Sequence, residues 1–382
     1  MTQRRAVIVD AVRTPIGKRD GSLSQVHPVD LSAVVLRALV QRNGVPPEAV
    51  EDVMWGCVTQ LGDQSSNIAR FAALAAGWPV SVPGVTFNRA CGSSQQAVES
   101  AVHAVVAGAY DCVVAGGVES MSRVPLGATR QTGVPYGATV LERFHTDRLE
   151  QGPGAEMIAA RWNLSRTDLD EYASRSHRLA AEAIDAGWFD DHLVTVDQAP
   201  GLRQDEGLRS GTTPQTLARL KPSFREDGVI HAGNASQISD GAAALLITTD
   251  EFARHHGLRP LASIRAGAVV GDDPVMMLTA PIPATRKVLG RTGLDIGDIG
   301  AFEVNEAFAS VPLAWQAELK ADPDRVNPLG GAIAVGHPLG ASGAVLAARL
   351  LHHMRRNGIA LGLQTMCEGG GTANATVFEL AD

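Results

Sequence analysis

The order of apolar segments predicts an α/β protein of two similar halves, with an irregular segment inserted into the first half. Strand-like runs alternate with helix-like runs over residues 1–120 and again after residue 261. The alternation stops between 121 and about 236, where Gly, Pro and charged residues are frequent. In each half, a long helix candidate that starts among small residues precedes an apolar strand that ends in glycines. This repetition favours a duplicated half-domain, built on a parallel or mixed sheet that helices cover.

The domain boundaries follow from these changes of pattern. We predict an N-terminal half formed by 1–120 and 238–260, a loop domain inserted at 121–237, and a C-terminal half over 261–382. A strand candidate at 243–247 resumes the first pattern, which makes the intervening segment an insertion.

Local signals predict the individual elements. We expect a helix over 31–41 with Asp30 as its N-cap, and a helix after Cys91 that ends at Gly108. In the insertion, a capping-box pattern at Ser165 predicts one clear helix that ends at about 186. Apolar periodicity predicts the remaining elements at 6–9, 53–58, 66–77, 83–87, 111–117, 243–247, 262–270, 283–291, 302–304, 306–319, 342–356 and 363–366.

Composition limits the classes of function. The 382 residues are 45% hydrophobic and 19% charged, which is typical of a globular protein. A net charge of −8 argues against a general nucleic-acid partner. No apolar stretch reaches the roughly 18 residues that a membrane span needs, and the N-terminus lacks a signal-peptide pattern. Four cysteines in a chain of this length do not indicate a disulfide scaffold, so we expect a reducing, cytoplasmic location.

Cys91 lies where a short apolar strand turns into the start of a helix. A thiol at a helix N-terminus faces unpaired backbone N–H groups and the positive end of the dipole, and both favour the thiolate. The small residues 92–94 leave room for a substrate against the sulfur. A buried core cysteine fits the same local sequence, because free cysteine is among the most buried residue types. The local sequence therefore allows both a nucleophile and a core residue.

Three motifs in the second half also carry reactive side chains. His337 stands in a Gly-His-Pro turn, and the proline biases it away from helical dihedrals, although most isolated histidines are surface or core residues. Cys367 ends an apolar strand before Glu368 and three glycines, whose backbone N–H groups suit a developing oxyanion. Asn305 lies at a strand end before a helix candidate, where an N-cap explains it as well as a catalytic role does.

Together these motifs resemble the thiolase family. The matching segments are spread in order along essentially the whole chain, at 12–15, 91–94, 305–309, 336–338 and 367–371. The resemblance implies a five-layered αβαβα sandwich of two similar halves, with a loop domain inserted in the first. It also implies an acyltransferase that uses coenzyme A as co-substrate, with no permanently bound cofactor and no metal.

The resemblance also implies a role for each matching residue. Cys91 would be the nucleophile that accepts the acyl group, and His337 the base that takes its proton. Cys367 would be the general acid–base for the substrate α-carbon and then for coenzyme A. Asn305 would hold a water that, with His337, binds the thioester oxygen. The backbone N–H groups of Cys91 and Gly369 would form a second oxyanion hole.

The coenzyme A contacts are implied in the same way. Ala235, Ser236 and Phe308 would lie along the pantetheine arm. Three cations of the insertion are candidates for the nucleotide phosphates, although solvated surface charge explains them as well: Arg219, Lys221 and Arg225. The family resemblance further implies a homodimer or homotetramer.

Two departures from the family pattern bear on substrate. The sequence has Glu150-Gln151-Gly152 where members that condense two acetyl-CoA molecules carry His-Met-Gly, which points to the degradative branch and a larger acyl group. Leu329 stands where the family usually has Asn, so we expect a buried hydrogen bond to be lost or replaced.

The sequence therefore favours a degradative 3-ketoacyl-CoA thiolase of fatty-acid or sterol breakdown. One alternative is a biosynthetic acetoacetyl-CoA thiolase. A decarboxylating ketoacyl-synthase relative would rely on two histidines, whereas this chain offers one Gly-His-Pro and a second cysteine. A non-catalytic acyl-CoA-binding protein would be expected to lack one of the four motifs, and all four are present.

Overall fold

The structure, a computed structural model, describes residues 4–131 and 133–381. The ends of the two predicted halves, at 1–3 and 382, lie outside the described residues. Its described strands are Ala6–Arg13 (β1), Gly17–Lys18 (β2), Asp52–Gly56 (β3), Val85–Phe87 (β4), Cys112–Ser120 (β5), Ser239–Thr249 (β6), Ala262–Gly271 (β7), Ala301–Val304 (β8), Leu361–Glu368 (β9) and Thr372–Leu380 (β10). Its described α-helices are Pro28–Asn43 (α1), Ile68–Ala75 (α2), Ser93–Ala107 (α3), Gly137–Arg143 (α4), Gln151–Arg161 (α5), Arg166–Asp185 (α6), Pro214–Leu217 (α7), Asp250–His255 (α8), Pro281–Thr292 (α9), Ser310–Leu319 (α10), Ala332–Val335 (α11) and Ser342–Asn357 (α12).

The described strands form one mixed sheet in the order β4-β3-β5-β6-β1-β7-β10-β9-β8, with the short β2 paired to β6. Strand β3 runs parallel to β4 and β5, and β8 runs parallel to β9, whereas β6 pairs antiparallel with β1 and β5. The two halves of the sheet meet where Ile8 of β1 pairs with Ala262 of β7. The first half of the chain therefore supplies one side of this junction, and the second half supplies the other.

Helices cover the outer faces of the sheet, and two further helices lie between its two halves. Helices α1 and α2 pack on the outer face of the first half, and α9 and α10 on the outer face of the second. Helices α3 and α12 lie between the halves in one buried cluster with residues of both. Side chains of strand β6 alternate between these layers, so that the strand packs against helices on both faces. Ala244 and Leu246 face the outer cluster, whereas Leu245 and Ile247 face the central one. The predicted five-layered αβαβα sandwich is confirmed.

Part of the segment between β5 and β6 packs against the second half of the chain. Leu149, Ile158, Leu169 and Ile230 share an apolar cluster with residues at the start of α10 and with Cys367. The insertion therefore lies against the end of β9 that carries the second cysteine.

Several element predictions are confirmed. Helix α3 ends at Gly108, whose φ of 85° lies in the left-handed region that glycine adopts without strain. Helix α6 begins with the Ser165 capping box, in which Ser165 and Asp168 each accept a backbone hydrogen bond from the other.

Other predictions are wrong in detail. Asp30 is not the N-cap of α1, because the helix begins at Pro28 and His27 is the cap. The helix predicted from residue 306 begins only at Ser310, so Asn305 is not an N-cap either. Helix α5 was not predicted, since a Gly-Pro-Gly run at 152–154 falls in its first turns and hides its apolar period.

Candidate active site

Cys91 lies in the turn between β4 and α3. The preceding Ala90 has a φ of 45°, an unusual conformation for a non-glycine residue. Ser93 holds this turn, because its Oγ donates to the Ala90 carbonyl at 2.6 Å and accepts from the Arg89 N–H at 2.9 Å. Cys91 is only half-buried, so it is not a core residue.

A cavity of about 750 Å³ opens beside this cysteine. Its wall combines backbone of the two motif loops with apolar side chains and a few polar ones: Asn88, Ala90, Cys91, Leu126, Tyr136, Glu150, Gln151, Gly152, Phe224, Met277, Leu339, Gly369 and Gly370. The cavity is therefore lined by Cys91, by Gly369 and by residues 150–152, where the sequence departs from the family pattern. It is large enough for a ligand of cofactor size.

His337 is buried, and its hydrogen bonds fix its tautomer. Ser342 donates its hydroxyl hydrogen to the Pro338 carbonyl at 2.8 Å, so its oxygen is left to accept from Nδ1 of His337 at 2.6 Å. Nδ1 therefore carries the hydrogen and Nε2 carries the lone pair. Burial lowers the pKa of His337 to about 4, so the imidazole is neutral and Nε2 can accept a proton.

The turn that carries His337 depends on a close approach at Gly336. The φ of Gly336 is 107°, and a Cβ there would collide with Oγ of Ser239 and lie 2.9 Å from a methyl carbon of Ile16. Ser239 in turn accepts the His337 N–H at 3.0 Å. A side chain at this position would therefore push the imidazole out of place.

Asn305 is adjacent to His337. Its Nδ2 lies 3.4 Å from Nε2 of His337, and its N–H donates to the Thr365 carbonyl at 3.0 Å. Among the described residues, Oδ1 of Asn305 is buried without a hydrogen-bond partner. A buried carbonyl oxygen of this kind is a position at which a water molecule can donate.

The two cysteines are close enough to interact electrostatically. Burial and the neighbouring Cys91 raise the pKa of Cys367 well above its usual value. Burial and the Glu368 carboxylate raise the pKa of Cys91 to about 12, although the backbone N–H groups of Cys91 and Gly369 act in the opposite direction. The backbone N–H groups favour the thiolate as expected, but burial and the neighbouring acid oppose them. Both sulfurs start as neutral thiols.

The predicted coenzyme A segment lies next to the Asn305 motif. Ala235 and Phe308 form an isolated antiparallel bridge, and the Ser236 N–H donates to the Ala307 carbonyl at 2.9 Å. Of the candidate cations, Arg219 and Lys221 are exposed, whereas Arg225 is paired with Asp227 at 3.0 Å.

Leu329 occupies a small apolar cluster instead of a hydrogen-bonded position. It is buried against Ala183 and Phe189. The neighbouring Asn327 makes the buried side-chain bonds in this region, accepting from the Val304 N–H at 2.8 Å and donating to Glu306 at 3.0 Å. At Leu329 itself, an apolar contact therefore replaces the expected hydrogen bond.

Glu119 is a site residue that the sequence analysis missed. Its buried carboxylate accepts hydrogen bonds from the N–H groups of Val58, Thr59 and Gly340 at 2.9–3.0 Å, and from the Gln64 side chain at 2.8 Å. Gly340 belongs to the loop that follows His337, and Val58 and Thr59 line the cavity. Glu119 thus ties the loop to the cavity wall. The signal that could have identified Glu119 is a single acidic residue near the end of a fully buried strand.

Glu119→Ala should lower the free energy of unfolding by about 3 kcal/mol or more, because four hydrogen-bond donors lose a buried acceptor. Chemical denaturation at pH 7 measures this. Glu182→Ala is the control, since Glu182 makes only an exposed pair with Arg178 and should change stability by less than about 1 kcal/mol. Equal effects of the two variants would contradict the assignment.

Two classes of structure are absent from residues 4–131 and 133–381. No helix there is both long and apolar enough to cross a membrane. No group of three or more His, Cys, Asp or Glu side chains in these residues could hold a metal ion.

Comparison with known proteins agrees with the geometry. The model of the thiolase N-terminal domain matches residues 6–251, and that of the thiolase C-terminal domain matches residues 258–380. The chain is 49% identical to a steroid 3-ketoacyl-CoA thiolase, FadA6, of Mycobacterium tuberculosis, over 98% of this chain and 94% of that protein. It is 41% identical to a 3-ketoacyl-CoA thiolase of Bacillus subtilis, over 99% of this chain and 100% of that protein.

Solved structures show the same fold. An acetyl-CoA acetyltransferase of Bacillus anthracis superposes with a TM-score of 0.90 at 40% identity, covering 99% of each chain. Human mitochondrial 3-ketoacyl-CoA thiolase, solved in complex with CoA, gives a TM-score of 0.91 at 34% identity, covering 100% of this chain and 99% of that one. With both family domains matched over nearly all of its length and relatives 41–49% identical, this chain belongs to the thiolase family of acyltransferases.

Proposed function

We propose that this enzyme is a degradative 3-ketoacyl-CoA thiolase, which cleaves its substrate with coenzyme A through an acyl group carried on Cys91. Two contacts support this most directly, namely the two thiols Cys91 and Cys367 close to each other, and the hydrogen-bonded pair of His337 and Asn305. A nucleophile, a separate proton donor and a site for an enolate oxygen are the three parts that this cleavage requires.

In the first half-reaction, the Cys91 sulfur attacks the 3-keto carbon while Nε2 of His337 takes its proton. The raised pKa of Cys91 and the lowered pKa of His337 disfavour a preformed ion pair, so proton transfer accompanies the attack. The bond between carbons 2 and 3 then breaks, and its electron pair passes into a thioester enolate. Protonated His337 and a water held by Asn305 stabilise the enolate oxygen, and Cys367 gives its proton to carbon 2.

In the second half-reaction, the Cys367 thiolate takes the proton of coenzyme A, whose sulfur attacks the acyl group on Cys91. The backbone N–H groups of Cys91 and Gly369 stabilise the oxyanion of the tetrahedral intermediate. The intermediate collapses by breaking its bond to Cys91, which recovers its proton from His337. The products are acetyl-CoA, or propionyl-CoA from an α-methyl substrate, and an acyl-CoA shortened by that unit.

The degradative direction is supported by the cavity and by two relatives. Gly152 and the neighbouring Leu126, Phe224 and Met277 give the cavity an apolar wall suited to an acyl group longer than acetyl. The relatives from Mycobacterium tuberculosis and Bacillus subtilis are named as 3-ketoacyl-CoA thiolases, the former for steroids. A biosynthetic acetoacetyl-CoA thiolase is the second candidate, since the Bacillus anthracis neighbour is named an acetyl-CoA acetyltransferase.

A substrate panel tests this proposal. We expect straight-chain or steroid side-chain 3-ketoacyl-CoAs to give a higher kcat/KM for thioester cleavage than acetoacetyl-CoA does. Without free coenzyme A, mass spectrometry should detect the acyl group on the peptide that contains Cys91. Preference for acetoacetyl-CoA would favour the biosynthetic candidate, and binding without acylation would favour a non-catalytic protein.

We also propose that the enzyme is a cytoplasmic homo-oligomer with the domain boundaries given above. Strand β4 lies at the edge of the sheet, and the apolar side chains of Phe71, Leu74 and Val85 are exposed near it. All four cysteines are free, in keeping with a reducing compartment. Light scattering would determine the number of subunits.

A further inference from the structure

Glu368 is a buried acid that the reaction above does not use. It follows Cys367 on β9 and has no exposed surface. Its Oε2 accepts from Thr372 Oγ1 at 2.7 Å, but its Oε1 is buried without a hydrogen-bond partner among the described residues. A buried carboxylate oxygen without a donor is costly, so the charge state of this group needs an explanation.

Asn374, on the neighbouring strand β10, is adjacent and also unpaired. Within the described chain, neither Oδ1 nor Nδ2 of Asn374 has a hydrogen-bond partner, and the residue is fully buried. A Cβ built on Gly92 would collide with Oε1 of Glu368 and lie 2.8 Å from Oδ1 of Asn374. Both oxygens therefore lie close to the Cα of Gly92, the residue that follows Cys91.

We propose that Glu368 is held as a neutral carboxylic acid, whose proton Asn374 accepts, and that ionisation of Glu368 suppresses the reactivity of Cys91. Two facing acceptor oxygens cannot bond to each other unless one carries a hydrogen. A protonated Oε1 donating to Oδ1 gives both oxygens a partner. This inference rests on the proposed role of Cys91 as the nucleophile.

The charges around Glu368 favour the neutral acid near pH 7. Burial raises its pKa to about 8, and the nearby Glu99 on α3 adds to this rise. Arg89, before α3, acts in the opposite direction, as do the Thr372 hydroxyl and the backbone N–H of Asn374 on β10. On β9 itself, Cys367 is a neutral thiol at this pH.

Glu99 belongs to a separate buried hydrogen-bond chain and acts on Glu368 through charge. Its Oε1 accepts from Thr376 Oγ1 at 2.5 Å, and Thr376 accepts from the Gln95 side chain at 2.8 Å. Burial raises the pKa of Glu99 to about 7, against the opposing charges of Arg89 and Arg291. Removing the Glu99 charge should therefore let Glu368 lose its proton at a lower pH.

The effect on Cys91 follows from Coulomb's law. After burial, Glu368 is the largest contribution to the raised pKa of Cys91, so an ionised Glu368 makes the thiolate still harder to form. Below about pH 8, the neutral acid exerts no such repulsion. Glu368 is thus a positioning residue that acts through charge, and it reduces acylation in alkaline solution.

Alkylation of Cys91 by iodoacetamide tests this, because its rate follows the thiolate fraction. The rate is measured from pH 6 to 9 by mass spectrometry of the Cys91 peptide. Glu368→Gln keeps the shape and can donate an amide hydrogen to Asn374, but it cannot ionise. We expect equal rates for this variant and the wild type at pH 6, and a rate about tenfold higher for the variant at pH 9.

Glu99→Gln is the matched variant, since it removes a second buried acid, one that acts on Glu368 through charge. It should change the profile in the opposite direction, with slower alkylation than the wild type between pH 7 and 8. If Glu368→Gln does not fold, the wild type decides: its rate should rise by clearly less than tenfold per pH unit between pH 7 and 9.

A rate ratio that stays constant from pH 6 to 9 would overturn the inference, because a purely structural change affects all pH values alike. So would a wild-type rate that rises tenfold per unit throughout, which would indicate that Asn374 Nδ2 faces a carboxylate already ionised at pH 6. Both outcomes concern the pH dependence of Cys91 reactivity and not whether 3-ketoacyl-CoA acylates Cys91, so failure here is separate from failure of the proposed function.

Discussion

Cys91→Ala should reduce thiolysis of 3-ketoacyl-CoA by about ten-thousandfold or more. The sulfur forms the only covalent bond between the protein and the acyl group in the proposed reaction, and alanine offers no nucleophile in its place. Because Cys91 is half-buried on a cavity wall and is not packed in the core, the fold should survive the change. Steady-state thioester cleavage and mass analysis of the isolated protein measure the two consequences, which are loss of turnover and loss of the acyl adduct.

Cys112→Ala is the matched control. Cys112 is also a free cysteine with a raised pKa, but it is buried in the outer core of the first half. This variant should keep its turnover within about threefold while losing some stability. Normal turnover in Cys91→Ala, or equal losses in both variants, would contradict the assignment of the nucleophile.

His337→Asn should reduce kcat by about ten-thousandfold. The imidazole has two uses in the proposed reaction, first as the base for Cys91 and then as a donor to the enolate oxygen. Loss of a general base costs roughly 10²–10⁴, and loss of an oxyanion donor costs roughly 10²–10³. Burst kinetics should show that formation of the acyl-enzyme is the step that slows.

Ser342→Ala tests the tautomer of His337 while keeping the imidazole in place. Without the Ser342 oxygen, Nδ1–H loses its acceptor, and the hydrogen can move to Nε2, where it blocks proton uptake. We expect a loss of about tenfold, much smaller than for His337→Asn, with a shift in the ¹⁵N signals of the ring. Unchanged nitrogen signals together with unchanged activity would show that other contacts fix the tautomer.

The motifs were predictable from sequence because each depends on local backbone chemistry. A strand that turns into a helix places Cys91, a Gly-His-Pro turn carries His337, and a glycine run follows Cys367. The helix ends were predictable where one residue type dominates the conformation, as at Gly108 and Ser165. Helix α5 was not, since its Gly-Pro-Gly start resembles a loop.

The ionisation of the site could not be predicted from sequence. Local reasoning placed Cys91 at a positive helix end and favoured the thiolate, yet burial and Glu368 raise its pKa. Glu368 comes 277 residues later in the chain, and the buried carboxylate of Glu119 organises segments separated by a similar distance. No local pattern carries that information.

The sequence by itself determined the two-half α/β architecture, the family resemblance and the identity of the four motifs, because periodicity and turn chemistry act over a few residues. Only the tertiary structure decided which polar atoms face one another in the dry interior: Nδ1 of His337 on Ser342, Asn305 beside Nε2, and Glu368 against Asn374. Solvation and charge depend on every atom within a few ångströms, and strands far apart in sequence supply those atoms.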